Sequence, residues 1–152
     1  DFPEANNPYV GKCEVLSDCW HANWSGSAMY NRYYSGSHTA GYGRLADKWH
    51  YITNRAWQAV RAGWLLIENV DGVPGLSNEE KLSIKAEAKC IIAARYFDTF
   101  RHYGGIPIIK ASFSGTDASY DMPRGSVEET VNFMVGLLDE AAASLPWNVD
   151  ES

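Results

Sequence analysis

Three features of this sequence predict an all-α fold of antiparallel helix pairs with a long aromatic-rich N-terminal loop region. Apolar residues recur at steps of three and four in three long stretches, two Ser-x-x-Glu sequences open two of those stretches, and Gly- and Pro-bearing segments separate them.

Residues 1–44 carry Pro3, Asn7-Pro8, Gly11, Gly26, Gly36, Gly41 and Gly43 among Ser and Asn, without a sustained helical or strand period. The segment reads as loop. It is too aromatic for a disordered tail, holding Trp20, Trp24, Tyr30, Tyr33, Tyr34 and Tyr42. A long ordered loop in a compact domain is usually functional.

From Leu45 the pattern changes. Trp49, Ile52, Ala56, Val60, Gly63, Ile67 and Val70 mark one face of a first helix, which Asp71-Gly72-Val73-Pro74-Gly75 stops. Ser77 and Glu80 form a capping box, each side chain satisfying the other's orphan N–H, so a second helix starts there. It runs through Leu82, Ala86, Cys90, Ala93, Phe97 and Phe100. A second stripe at Ala88, Ile91, Ile92 and Tyr96 predicts that both sides are covered.

Gly104 suits the left-handed position after that helix, and Gly105 to Ile109 reads as a short extended segment followed by loop over residues 112–125. Ser126 and Glu129 repeat the capping box. Val127, Val131, Met134, Leu138, Ala141 and Leu145 then form the third stripe, closed by Pro146. Helices of this length joined by loops suggest tetratricopeptide-like pairs; Ala93 and Phe97 have the spacing of that repeat's second helix, although its period of about 34 residues is not visible. Helix three has nothing to pair with before the sequence ends. The 152 residues are therefore expected to be the N-terminal part of a longer domain, with a loop region over 1–44 and a helical region over 45–147.

Composition narrows the function. Nineteen acidic against 13 basic residues give a net charge of −6, which opposes a nucleic-acid backbone and anionic lipid alike. No apolar run is long enough to span a bilayer, and the chain opens at Asp1 without the basic and apolar regions of a signal peptide, so any export signal is expected to have been removed already or never to have been present. Of the three cysteines only Cys13 and Cys19 are placed for a local bridge, with two separate thiols the alternative; Cys90 reads as a buried small apolar residue.

His21, His38, His50 and His102 are isolated, so no metal site is predicted, and no cofactor is implied. Gly104-Gly105 closes a helix where a phosphate loop would open one. A glycosidase needs two carboxylates across a cleft, but Glu79, Glu80, Glu128 and Glu129 are explained by helix N-termini, and Glu87 and Asp98 lie on a structural helix. The chain is predicted not to be an enzyme.

The segment EAKCIIAARYFDTFRHYGGIPII, Glu87 to Ile109, resembles the most characteristic stretch of SusD-like (RagB/SusD) proteins: Glu-Ala, an alanine-rich turn, Tyr-Phe, then Tyr-Gly-Gly-hydrophobic-Pro. Pro123-Arg124 before Ser126, and the helix end from Ala141 to Leu145-Pro146, are similar to that family's next block. Ile92, Trp64 and Leu137-Leu138 depart from its pattern. The resemblance implies an all-helical fold with tetratricopeptide-like pairs, in a cell-surface lipoprotein of the outer membrane. It implies that such a protein captures oligosaccharide or polysaccharide and delivers it to a SusC-like TonB-dependent transporter, and that it meets the membrane only through an N-terminal lipid anchor not present in this chain.

Trp49, Trp57, Trp64, Phe97, Phe100 and Phe133 lie on helical stripes and are assigned to packing. The loop aromatics obey no helical period. Flat rings with polar handles stack on sugar faces while amides bond hydroxyls, so Trp20, Asn23, Trp24, Tyr33 and Tyr42 are the candidate glycan-binding residues. The alternative is a helical-repeat scaffold that binds protein or peptide through the same loop.

Overall fold

The computed structural model describes residues 35–37, 39, 56–113, 115–116 and 121–146. The chain divides into two compact units, Asp1–Trp49 and His50–Ser152. In the first, residues 35–37 make a turn around Gly36 at φ 67°, with the hydroxyls of Ser35 and Ser37 2.7 Å apart.

In the second unit the described residues form three α-helices and no strand: α1 (Ala56–Asn69), α2 (Asn78–Tyr103) and α3 (Val127–Ala142). A 3-10 turn, Val70–Gly72, extends α1. The predicted start of helix one near Leu45, with Trp49, lies outside the described residues.

Both capping boxes form. Ser77 N–H donates to Glu80 at 2.7 Å and Glu80 N–H returns to Ser77 Oγ at 3.2 Å; Ser126 and Glu129 repeat the exchange at 2.7 and 3.1 Å. These bonds to the charged carboxylates hold Glu80 and Glu129 below the usual carboxylate range, the backbone N–H of Ser77 and Ser126 being the larger cause. The helices therefore start where the sequence placed them.

The helices run antiparallel in sequence order. Trp57 at the start of α1 meets Tyr96 late in α2 edge-on, at 5.7 Å and 88°. Gly63 lies against Ile92, and the Asp71 carboxylate past the end of α1 takes Lys85 at 2.7 Å. Across the other side of α2, Tyr96 meets Phe133 at 4.9 Å while Lys89 reaches Glu140 at 2.7 Å. This is the tetratricopeptide-like arrangement expected, with α2 between its neighbours. Its core comprises Val60, Ile92, Ala93, Tyr96, Ile106, Met134 and Leu137.

The structure corrects several assignments. Leu82, Ile91 and Phe97 are 55, 53 and 52% exposed, because two neighbours cover only the arc of α2 that carries Ala86, Ala88, Ile92, Ala93, Tyr96 and Thr99. Ile91 is one residue, about 100°, from buried Ile92. Phe97, assigned above to packing, instead lies under the Arg101 guanidinium at 5.4 Å. Cys90 is a free thiol and half-buried rather than buried.

On α3 the buried face is Thr130, Met134, Leu137 and Ala141, while Val127 and Leu138 of the predicted stripe are exposed. Thr130 enters the core because its hydroxyl is satisfied twice, donating to Ser126 O at 2.8 Å and accepting from Ile106 N at 3.3 Å. Gly104 has the expected positive φ of 69°, but ψ is −139°, outside the left-handed helical basin. That ψ sends the chain out extended instead of folding it back over the helix.

Candidate functional site

The residues after Gly104 form a non-helical strap, residues 105–113, held across the helices by side chains from all three. Tyr96, fully buried on α2, donates its hydroxyl to Pro107 O at 3.0 Å and accepts from Ile109 N at 2.7 Å. Burial pushes the Tyr96 phenol up to about 12, the bond from Ile109 opposing it only in part. Trp64 of α1 donates Nε1 to Ile109 O at 3.0 Å. Thr130 of α3 holds Ile106 N.

At its far end the strap is tied to Glu68 of α1, which accepts from Ser112 N at 2.8 Å and from Ser112 Oγ. Those bonds, the side-chain one first, hold the Glu68 carboxyl below its ordinary range. At its near end, Arg124 donates Nε to Gly105 O at 2.8 Å and Nη2 to Tyr103 O, and Gly125 N–H donates to Ile106 O at 3.1 Å. A Cβ at Gly105 would stand 2.1 Å from Gly125 O, so no side chain fits there. The Tyr-Gly-Gly-Ile-Pro sequence is thus a strap motif: one glycine turns out of the helix and the next lets two backbones pass.

Between strap and α1 opens a cleft of about 330 Å3, lined by Trp57, Gln58 and Arg61 of α1 and by Ile109, Ala111 and Phe113 of the strap. The α1 residues share a face because 57, 58 and 61 are one and four apart. Ile109, Ala111 and Phe113 of the strap face the same space although the chain bends at Ala111. The floor is apolar. Among the described residues neither Gln58 nor Arg61 makes a hydrogen bond or ion pair, and Trp57 Nε1, unlike that of Trp64, has no acceptor.

This cleft was not singled out from sequence. Trp57 was assigned to packing, and it does pack half-buried against the core while also lining the cleft. The available signal was Arg61 one turn after Trp57, beside the buried stripe of Ala56 and Val60, facing an alternating segment after Pro107. The candidate glycan residues Trp20, Asn23, Trp24, Tyr33 and Tyr42, with Cys13 and Cys19, lie outside the described residues. Among those described, no cluster of three or more His, Cys, Asp or Glu is placed to hold a metal ion. No described helix is long and apolar enough to cross a membrane.

The chain is similar in structure to a SusD-like protein from Bacteroides fragilis, known from its crystal structure, with a TM-score of 0.62 and 22% identity. The chain has a SusD-like fold. The alignment covers 66% of this chain and 19% of that one, so the sequence spans about a fifth of its SusD-like counterpart. No protein-family model matches the sequence, and no curated protein matches it. Within this SusD-like fold the departures noted in the sequence have packing roles: Ile92 fills the approach to Gly63, Trp64 holds the strap, and Leu137 is in the core.

Proposed function

We propose that this chain belongs to a non-catalytic, lipid-anchored protein of the outer-membrane surface that captures oligosaccharides and delivers them to a SusC-like TonB-dependent transporter. The observation that carries the reading is the likeness of the fold to a SusD-like protein. It is supported by the cleft, an apolar floor with unengaged donors at its edge, which is the chemistry a sugar ring with hydroxyl acceptors requires. In this reading the aromatic segment with Trp20, Asn23, Trp24, Tyr33 and Tyr42 supplies further stacking surfaces.

The test is a glycan array followed by calorimetry on the full-length protein, together with gentle extraction from its own membrane. Saturable binding to a defined oligosaccharide and copurification of a TonB-dependent barrel are expected. Absence of any glycan binding overturns the function, and absence of the barrel overturns the transporter. A second reading, a scaffold for protein or peptide, draws on α3, where Val127, Val135 and Leu138 stand exposed beside the buried face. Glycan binding that survives polar substitution of all three separates the two.

A further inference from the structure

We infer that the cleft between α1 and the strap selects an acidic sugar, a uronic-acid residue of an oligosaccharide, through the Arg61 guanidinium. The inference rests on the glycan reading above and narrows it to a substrate class.

Four observations converge. The described lining is apolar except for Arg61 and Gln58, and it includes no carboxylate. Arg61 is exposed and forms no ion pair among the described residues, and the same holds for Lys110 on the strap beside the lining residues Ile109 and Ala111, whereas Lys85, Lys89, Arg95 and Arg101 are engaged by acids and Lys81 and Arg124 by backbone carbonyls. In a chain of net charge −6, a cleft whose wall carries one unmatched cation and whose strap carries a second favours an acidic ligand. Glu68, the acid that reaches the strap, is occupied by Ser112 and held in its charged form, so it does not supply the missing partner.

The chemistry of a uronic-acid ring fits this set. Its axial C–H face is apolar and lies on Trp57 and Ile109, while its carboxylate offers two oxygens in the geometry of the planar guanidinium fork. Hydroxyls then accept from Gln58 and from Trp57 Nε1. A volume of about 330 Å3 is at the small end of ligand clefts, room for one ring of a longer chain. A neutral hexose satisfies the floor and leaves the guanidinium with water only.

The experiment titrates the full-length protein with trimers of galacturonate, glucuronate and mannuronate, each paired with its carboxyl-reduced neutral trimer. The expected result is at least one uronate bound about tenfold or more tightly than its neutral partner. Arg61→Gln abolishes that difference, Arg61→Lys keeps part of it, and raised salt weakens it, with melting temperatures unchanged throughout. Equal binding of acid and neutral trimers, or full discrimination in Arg61→Gln, overturns the acidic-sugar inference and leaves the glycan reading standing. No binding of any trimer, with none on a wider glycan array, overturns both.

Discussion

Replacing Tyr96 by Phe tests whether the strap is held as described, because it removes one oxygen and keeps the ring. The edge-on contacts to Trp57 and Phe133 survive, so any loss belongs to the hydroxyl. That hydroxyl serves two strap groups, Pro107 O and Ile109 N, and both residues are half-buried. A partly wetted group that loses its partner costs about 1 kcal/mol, against about 3 kcal/mol for a dry one, so the pair comes to roughly 2 kcal/mol. For a unit of about 100 residues this lowers the Tm by roughly 10 °C.

Thermal and urea unfolding of the two proteins measure it. A Tm within about 2 °C of the parent would refute the assignment of Tyr96 as the strap's anchor. Titration at 295 nm adds a second readout. The phenol is raised from 10.0 to about 12 in the folded chain, so its contribution is complete below pH 10 and is lost as pH rises towards 12. The parent should lose stability across that window more steeply than Tyr96→Phe, and the variant should lack one late-titrating tyrosine.

Gly105→Ala places a methyl group against the backbone of Gly125 and Ser126, where no side chain can yield, and is expected to cost several kcal/mol or prevent folding; Gly115→Ala, whose Cβ meets open space but at φ 84°, should cost only about 1 kcal/mol. Acidification should loosen the starts of α2 and α3 and the strap's tie to α1: Glu80 and Glu129 in the capping boxes and Glu68 on Ser112 have lowered pKa values, so their contribution is present above the ordinary 4.5 and is lost as pH falls through the lowered values, read as circular dichroism at 222 nm between pH 5 and 2. Ser77→Ala with Ser126→Ala should shift that acid transition to higher pH, and an unmoved midpoint would contradict the capping explanation. In the full-length protein, Trp20→Ala and Trp24→Ala should each weaken glycan binding with the Tm unchanged; a Tm several degrees lower, with normal binding by the folded fraction, makes them packing residues instead.

What the sequence determined by itself was local. Helix starts at Ser77 and Ser126 were legible because a capping box is a contact between residues three apart, and the inward face of α1 was legible because apolar periodicity reports which side turns inward. The Tyr-Gly-Gly-Ile-Pro segment was legible as a resemblance, but its reason was not. Only the tertiary structure brings Gly125 within contact of Gly105, Thr130 to Ile106 and Tyr96 to Ile109, pairs separated by 13 to 24 residues.

The same limit explains the misassignments. Periodicity identifies apolar residues without saying how wide an arc the neighbours cover, so Ile91, Phe97 and Leu138 were placed inside while Thr130, polar but doubly bonded, was left out. The cleft followed the same rule. Trp57 and Arg61 are one turn apart and their proximity is sequence-local, but the opposite wall, Ile109 to Phe113, arrives from about 50 residues away, and it arrives only because Trp64, Tyr96 and Glu68 hold the strap in place. A one-dimensional pattern carries the faces of single helices; which faces meet, and what space is left between them, is decided by packing.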